Sequence, residues 1–172
     1  MKKLLILTFA VLAFAACAKE SSQQQPVQTD NTVAQAPAAY TLPAVLGGED
    51  FVLEKENPSK PILVASMAGF CSYCKKMLPL IDEMAGKYKD KNVDIVIAFV
   101  DPANDQLKEM DVVKNAKNAK IHYNAAHFGQ DMGVTGFPTM FFIGTNGETK
   151  KWIGADPAYI ELMSATIDES LK

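Results

Sequence analysis

Apolar residues along this chain change period several times, and the changes outline a folded part that begins near Tyr40. Residues 61–67 (P-I-L-V-A-S-M) are a short apolar run behind a proline, the pattern of a strand buried on both faces. From Cys74 onward the spacing becomes helical: Met77, Leu78, Ile81, Met84, Ala85 and Tyr88 make one stripe. Residues 93–100 (V-D-I-V-I-A-F-V) return to a β-branched strand that ends at Asp101. Leu107, Met110 and Val113 suggest a second helix over 104–120, without strong caps. Residues 139–143 and 148–153 read as a hairpin around the turn pair Asn146-Gly147. Asp156-Pro157 supply N-cap and first helical position for a last helix with Ile160, Met163, Ile167 and Leu171 turned inward. Upstream, 41–46 and 51–53 flank Gly47-Gly48 as a further hairpin. Strands alternating with helices and ending in a hairpin predict one α/β domain over 40–172, a mixed central sheet flanked by helices.

Residues 1–39 have none of this patterning. Met1-Lys2-Lys3 is a positive start, 4–16 are apolar except for Thr8, and Ala15 and Ala16 precede Cys17. This reads as a secretory signal over 1–16, too short to span a membrane stably. The stretch L-A-F-A-A-C (12–17) resembles a bacterial lipobox, with Phe14 where Leu is more usual. That resemblance implies a diacylated Cys17 as the mature N-terminus, anchored by about 0.8 kcal/mol per buried methylene. Ala18 in place of Asp would suggest the outer membrane under the enterobacterial sorting pattern, and inner or outer membrane stays open. The rest of 17–39 is rich in Gln, Ala and Pro and is expected to be a disordered tether.

The length of 172 residues suits a single domain plus this leader. All 17 basic residues are Lys, and loss of Lys2 and Lys3 leaves 15 against 20 acids, a net −5. Without arginine there is no bidentate phosphate recognition, and nucleic acid is not an expected partner. Lys114, Lys117 and Lys120 read as a solvated helix face.

The chemistry concentrates in F-C-S-Y-C-K-K (70–76), two thiols one helical turn apart just after a strand. Cys71 falls at the helix N-terminus, where unpaired N–H groups and the helix dipole favour a thiolate, the attacking species in disulfide exchange. Cys74, a turn further in, is expected to be buried and to resolve the mixed disulfide. Of three cysteines in an exported chain, the lipobox takes Cys17 and leaves these two for each other.

With these residues placed, the chain resembles the thioredoxin-like superfamily, and within it the periplasmic TlpA/ResA-like branch. The matches are Y-T-L-P (40–43) with its Gly-containing hairpin, F-C-S-Y-C-K-K, Pro79 five residues after Cys74, and G-V-T-G-F-P-T (133–139). The resemblance implies a thioredoxin-like fold with an N-terminal β-hairpin extension and a thiol-disulfide oxidoreductase whose redox-active Cys71-Cys74 disulfide needs no other cofactor. It implies that Pro138 is cis beside the disulfide, that Phe137 docks an extended substrate, and that Phe70 and Tyr73 border the site. It implies a monomer in the periplasm, protein disulfides as substrates, a DsbD- or CcdA-like membrane electron donor, and clients such as apocytochrome c during its maturation. The chain departs from the family at Ala65 and Ile97, which stand where thioredoxin has a buried acid and its lysine partner. Glu109 or Asp111 is then the candidate base for Cys74, against a reading of both as helix-surface charges.

Two other readings compete. A DsbA-like oxidase would insert a full helical domain, whereas 35 residues separate Asp101 from Phe137, and a DsbC-like isomerase would add a dimerisation domain. A metallochaperone would use Cys71 and Cys74 with His122 and His127 as four zinc ligands. The 47 residues between Cys74 and His122 exceed the usual spacing of roughly 12–15. The expected function is therefore a membrane-anchored periplasmic oxidoreductase that reduces protein disulfides through Cys71 and Cys74, with the oxidase or isomerase reading as the alternative.

Overall fold

The computed structural model describes residues 38–172. The leader, Cys17 and all but the last two tether residues lie outside the described residues. Five strands form the central sheet: β3 (Ile62–Met67), β4 (Asp94–Phe99), β5 (Lys120–His122), β6 (Thr139–Ile143) and β7 (Thr149–Ile153), in the order β5-β4-β3-β6-β7. β4 and β5 run parallel to their inner neighbours, while β6 and β7 are antiparallel, which makes the sheet mixed. A separate antiparallel pair, β1 (Ala39–Leu42) with β2 (Phe51–Glu54), precedes it.

β3 is buried along its whole length because both faces of the sheet are covered. Alternate residues point to opposite faces, and the core divides accordingly. Leu63, Ala65 and Met67 join Met77, Leu78 and Ile81 of α1 (Ser72–Tyr88) and Met163 and Ile167 of α4 (Tyr159–Ser170). Ile62 and Val64 face Leu42, Leu53 and Phe128, the last on α3 (Ala126–Asp131). The α1 stripe is the one the periodicity predicts, and Pro79 sits within the helix, withholding an N–H from the Lys75 carbonyl.

The segment 104–120 is not one helix. It holds a single 3-10 turn, Leu107–Glu109, and then α2 (Asp111–Lys114), after which the chain becomes β5. Three residues of β5 are too few to show a period; tertiary pairing sets them, Ile97 against Ile121 and Ala98 against His122. Lys114, Lys117 and Lys120 therefore share no helix face, and Lys120 and Lys60 both pair with the buried carboxylate of Asp94. The bend between α2 and β5 is held from α1: Asp82 accepts from the backbone N–H groups of Lys117, Asn118 and Ala119 at 2.8–3.1 Å.

The N-terminal pair also differs from expectation. β1 ends at Leu42, and Pro43 to Val45 instead cover the edge of β5, through Tyr123 N–H to the Pro43 carbonyl and Val45 N–H to the Ile121 carbonyl, each 3.0 Å. Gly47 and Gly48 take φ +85° and +114° to reverse the chain, a backbone region that glycine enters without a Cβ penalty. α4 starts at Tyr159, two residues beyond Pro157, though the Asp156 carboxylate accepts the Ala158 N–H at 2.9 Å and opens the first turn. Among the described residues no helix is long and apolar enough to cross a membrane.

Candidate active site

β3 ends at Met67 and α1 begins at Ser72, so Ala68 to Cys71 form the link from sheet to helix. Cys71 is the N-cap of α1, with extended backbone (φ −80°, ψ 111°), and its Sγ accepts the Cys74 N–H at 3.1 Å. The sulfur thus takes the place that Ser or Asp fills at many helix starts. Cys71 N–H donates to the Ala68 carbonyl at 3.0 Å, and Sγ lies 3.5 Å from the Phe137 carbonyl oxygen. Both cysteines are free thiols.

The two sulfurs differ in environment. Cys71 is half-buried, whereas Cys74 is 1% exposed and packs in the apolar cluster that contains Ala65, Met67 and Ile97. Burial, reinforced by the adjacent Cys71 sulfur, pushes the Cys74 thiol well above its ordinary value.

The second wall comes from the segment before β6. The Phe137–Pro138 peptide is cis, and Thr139 Oγ1 donates to the Gly136 carbonyl at 2.7 Å. Phe70, 81% exposed, meets Phe137 edge to face, with ring centroids 6.3 Å apart. Tyr73 is 61% exposed on the first turn of α1, and the Lys76 ammonium lies 5.5 Å from its ring centroid. The structure therefore brings Phe70, Cys71, Tyr73, Cys74, Phe137 and Pro138 into one neighbourhood.

Asp101, seen in the sequence only as the end of a strand, has a place here. Its Oδ2 accepts the Gly69 N–H at 2.9 Å and ties the loop before Cys71 to the end of β4. A Cβ on Gly69 would lie 2.9 Å from Leu107 and 3.0 Å from the Asp101 carboxylate, so the close approach requires glycine. The available signal was an Asp just after one buried strand, β4, and a Gly two residues before Cys71 in the link after the other, β3.

Other candidates lie elsewhere. Ala65 and Ile97 are register partners on β3 and β4, both fully buried, so an apolar pair occupies that part of the core beneath the thiols. Glu109 is exposed and paired with Lys114 at 2.8 Å, which holds its carboxyl low; Asp111 is exposed at the start of α2. Neither carboxylate hydrogen-bonds to Cys74, and the surface-charge reading describes both. His122 is buried, with Nδ1 2.9 Å from the Leu42 carbonyl oxygen, and burial lowers its pKa. His127 is exposed on α3, and among the described residues no three metal-ligating side chains come together. The four-ligand zinc arrangement of Cys71, Cys74, His122 and His127 is not assembled.

The chain belongs to the Redoxin family, whose model matches residues 29–158. The fold is thioredoxin-like. It is similar to StoA of Bacillus subtilis, at 22% identity and TM-score 0.59 over 75% of this chain and 96% of that one. It is similar also to an exposed lipoprotein thioredoxin of Streptococcus pneumoniae strain TIGR4, at 23% identity and TM-score 0.58 over 75% of this chain and 99% of that one. At these identities the likeness is one of fold. A protein disulfide-isomerase of Drosophila melanogaster is 38% identical over 68 residues, which are 40% of this chain and 14% of that protein's length.

Proposed function

We propose that this chain is an extracytoplasmic thiol-disulfide oxidoreductase that reduces protein disulfides. The observation that carries the reading is the pair of unlike thiols at the start of α1: a reachable Cys71 beside Phe137 and Pro138, and a Cys74 sealed in the core. Family and fold agree with thiol-disulfide exchange.

In the forward direction the Cys71 thiolate attacks one sulfur of a client disulfide. The client S–S bond breaks, a Cys71–client disulfide forms, and the other client sulfur leaves as thiolate. Cys74 then loses its proton to solvent and attacks the Cys71 sulfur. The client departs as a second thiolate, both client sulfurs take up protons from water, and two electrons have passed from the Cys71-Cys74 dithiol to the client. Phe70, Tyr73 and Phe137 form the apolar surface against which the client chain lies. A DsbD- or CcdA-like membrane dithiol would return the electrons, apocytochrome c or wrongly oxidised proteins would be clients, and acylated Cys17 would hold the domain at the membrane.

Reduction is preferred over oxidation because only short pieces, α2, β5 and α3, join β4 to β6 in place of an inserted helical domain. The equilibrium potential of Cys71/Cys74 against glutathione tests the direction. A value more negative than about −200 mV is expected, and one near −120 mV, as in DsbA, would make the chain an oxidase.

A further inference from the structure

Lys75 and Lys76 stand exposed on the first turns of the helix that Cys71 caps, and among the described residues neither enters an ion pair. Lys75 follows Cys71 by four residues and so lies on the same stripe of α1. Lys76 follows Tyr73 by three, with its ammonium 5.5 Å from that ring's centroid. No acidic residue occupies the first turn of α1. Asp101, the carboxylate bound to the loop before Cys71, is half-buried and engaged by the Gly69 N–H. Phe70 and Tyr73, which flank Cys71 along the chain, are two of the six exposed large hydrophobic residues among those described. The α1 side of the reactive sulfur is therefore apolar and positive on a domain whose described residues carry 14 lysines against 18 acids.

We infer that this face selects client disulfides whose cysteine is flanked by acidic as well as apolar side chains, with Lys75 and Lys76 as the specificity-determining groups. The inference rests on the exchange proposed at Cys71. Long, solvated ammonium groups make weak pairs, so each contributes a small factor, chiefly to the rate of encounter. Together they should favour an acidic client roughly 2–10-fold at low salt. The preference should fade at high salt, where the screening length falls to about 3 Å at 1 M.

The test uses the reduced full chain and three disulfide-linked peptides alike except for the residues beside the cysteine: Glu, Gln or Lys, each with a neighbouring Phe. Second-order rates are read from loss of alkylatable Cys71 and Cys74. The acidic peptide should react fastest and the basic one slowest, and K75Q/K76Q should bring the ratios close to one. K89Q/K91Q removes the same charge just past the C-terminal end of α1, which closes about 20 Å from Lys75, some two screening lengths away at 0.1 M salt, and should keep the wild-type ratios. Equal rates with all three peptides in the wild type overturn the inference while leaving the exchange reading intact. So does a preference that survives K75Q/K76Q, or one lost equally in K89Q/K91Q. If none of the three peptides reacts, exchange at Cys71 fails and the inference fails with it.

Discussion

The division of labour proposed for Cys71 and Cys74 rests on their unequal burial. Cys71 caps the helix and meets solvent, while Cys74 begins the buried stripe of the same helix. Cys74→Ser should therefore accumulate mixed disulfides with clients, visible as non-reducing gel adducts, and Cys71→Ser should not; the reverse pattern would exchange the roles. Burial raises the Cys74 thiol, so at neutral pH its thiolate is scarce, and that fraction grows about tenfold per pH unit. Release of the client from a preformed mixed disulfide should accelerate in step from about pH 6 to about pH 8. A flat profile there would mean that an unidentified base serves Cys74. The same raised pKa has a stability consequence of definite sign. The neutral buried thiol favours the fold below the unfolded thiol's value of about 8.5, and that contribution is lost as pH rises toward the folded value.

At the scale of elements, the bend between α2 and β5 is held by one carboxylate. Burial alone would raise the Asp82 carboxyl, but the N–H groups of Ala119, Asn118 and Lys117 outweigh it and hold the pKa below the ordinary 3.8. Asp82→Ala leaves those donors to water or unpaired and should cost about 1–3 kcal/mol at neutral pH. Because the folded pKa is lowered, the contribution is present above the unfolded value and disappears as pH falls through the folded one. Thermal melts of wild type and variant should accordingly differ at pH 7 and converge in acid. An undiminished difference in acid would assign the loss to packing.

For the whole molecule, the proposal needs a reduced pair in an oxidising compartment, which only a supply of electrons can maintain. Alkylation of growing cells should find Cys71 and Cys74 largely reduced and should find them oxidised when the membrane donor is removed. A pair oxidised in both conditions would favour the oxidase reading. Cys17→Ser should release the protein from the membrane fraction and abolish fatty-acid labelling, and unchanged membrane retention would count against the lipid anchor.

The strands β3, β4 and β6, helix α1 and the thiol pair were legible in the sequence because each is signalled locally: unbroken apolar runs, a long 3.6-residue stripe, and two cysteines at its start. The family pattern added Phe137 and Pro138 by resemblance. The single helix expected over 104–120 was wrong and no element was foreseen over 121–132, because β5 and α3 are too short to carry a period and form only where β4 and the core offer partners. The Asp101–Gly69 and Asp82 contacts were equally out of reach, since each joins groups more than thirty residues apart. Sequence alone determined which atoms are available for chemistry, because thiol reactivity belongs to residue type and helix position. Tertiary structure decided which sulfur is exposed, what rims it and which carboxylates lie away from it, because burial and distance exist only once the chain has packed.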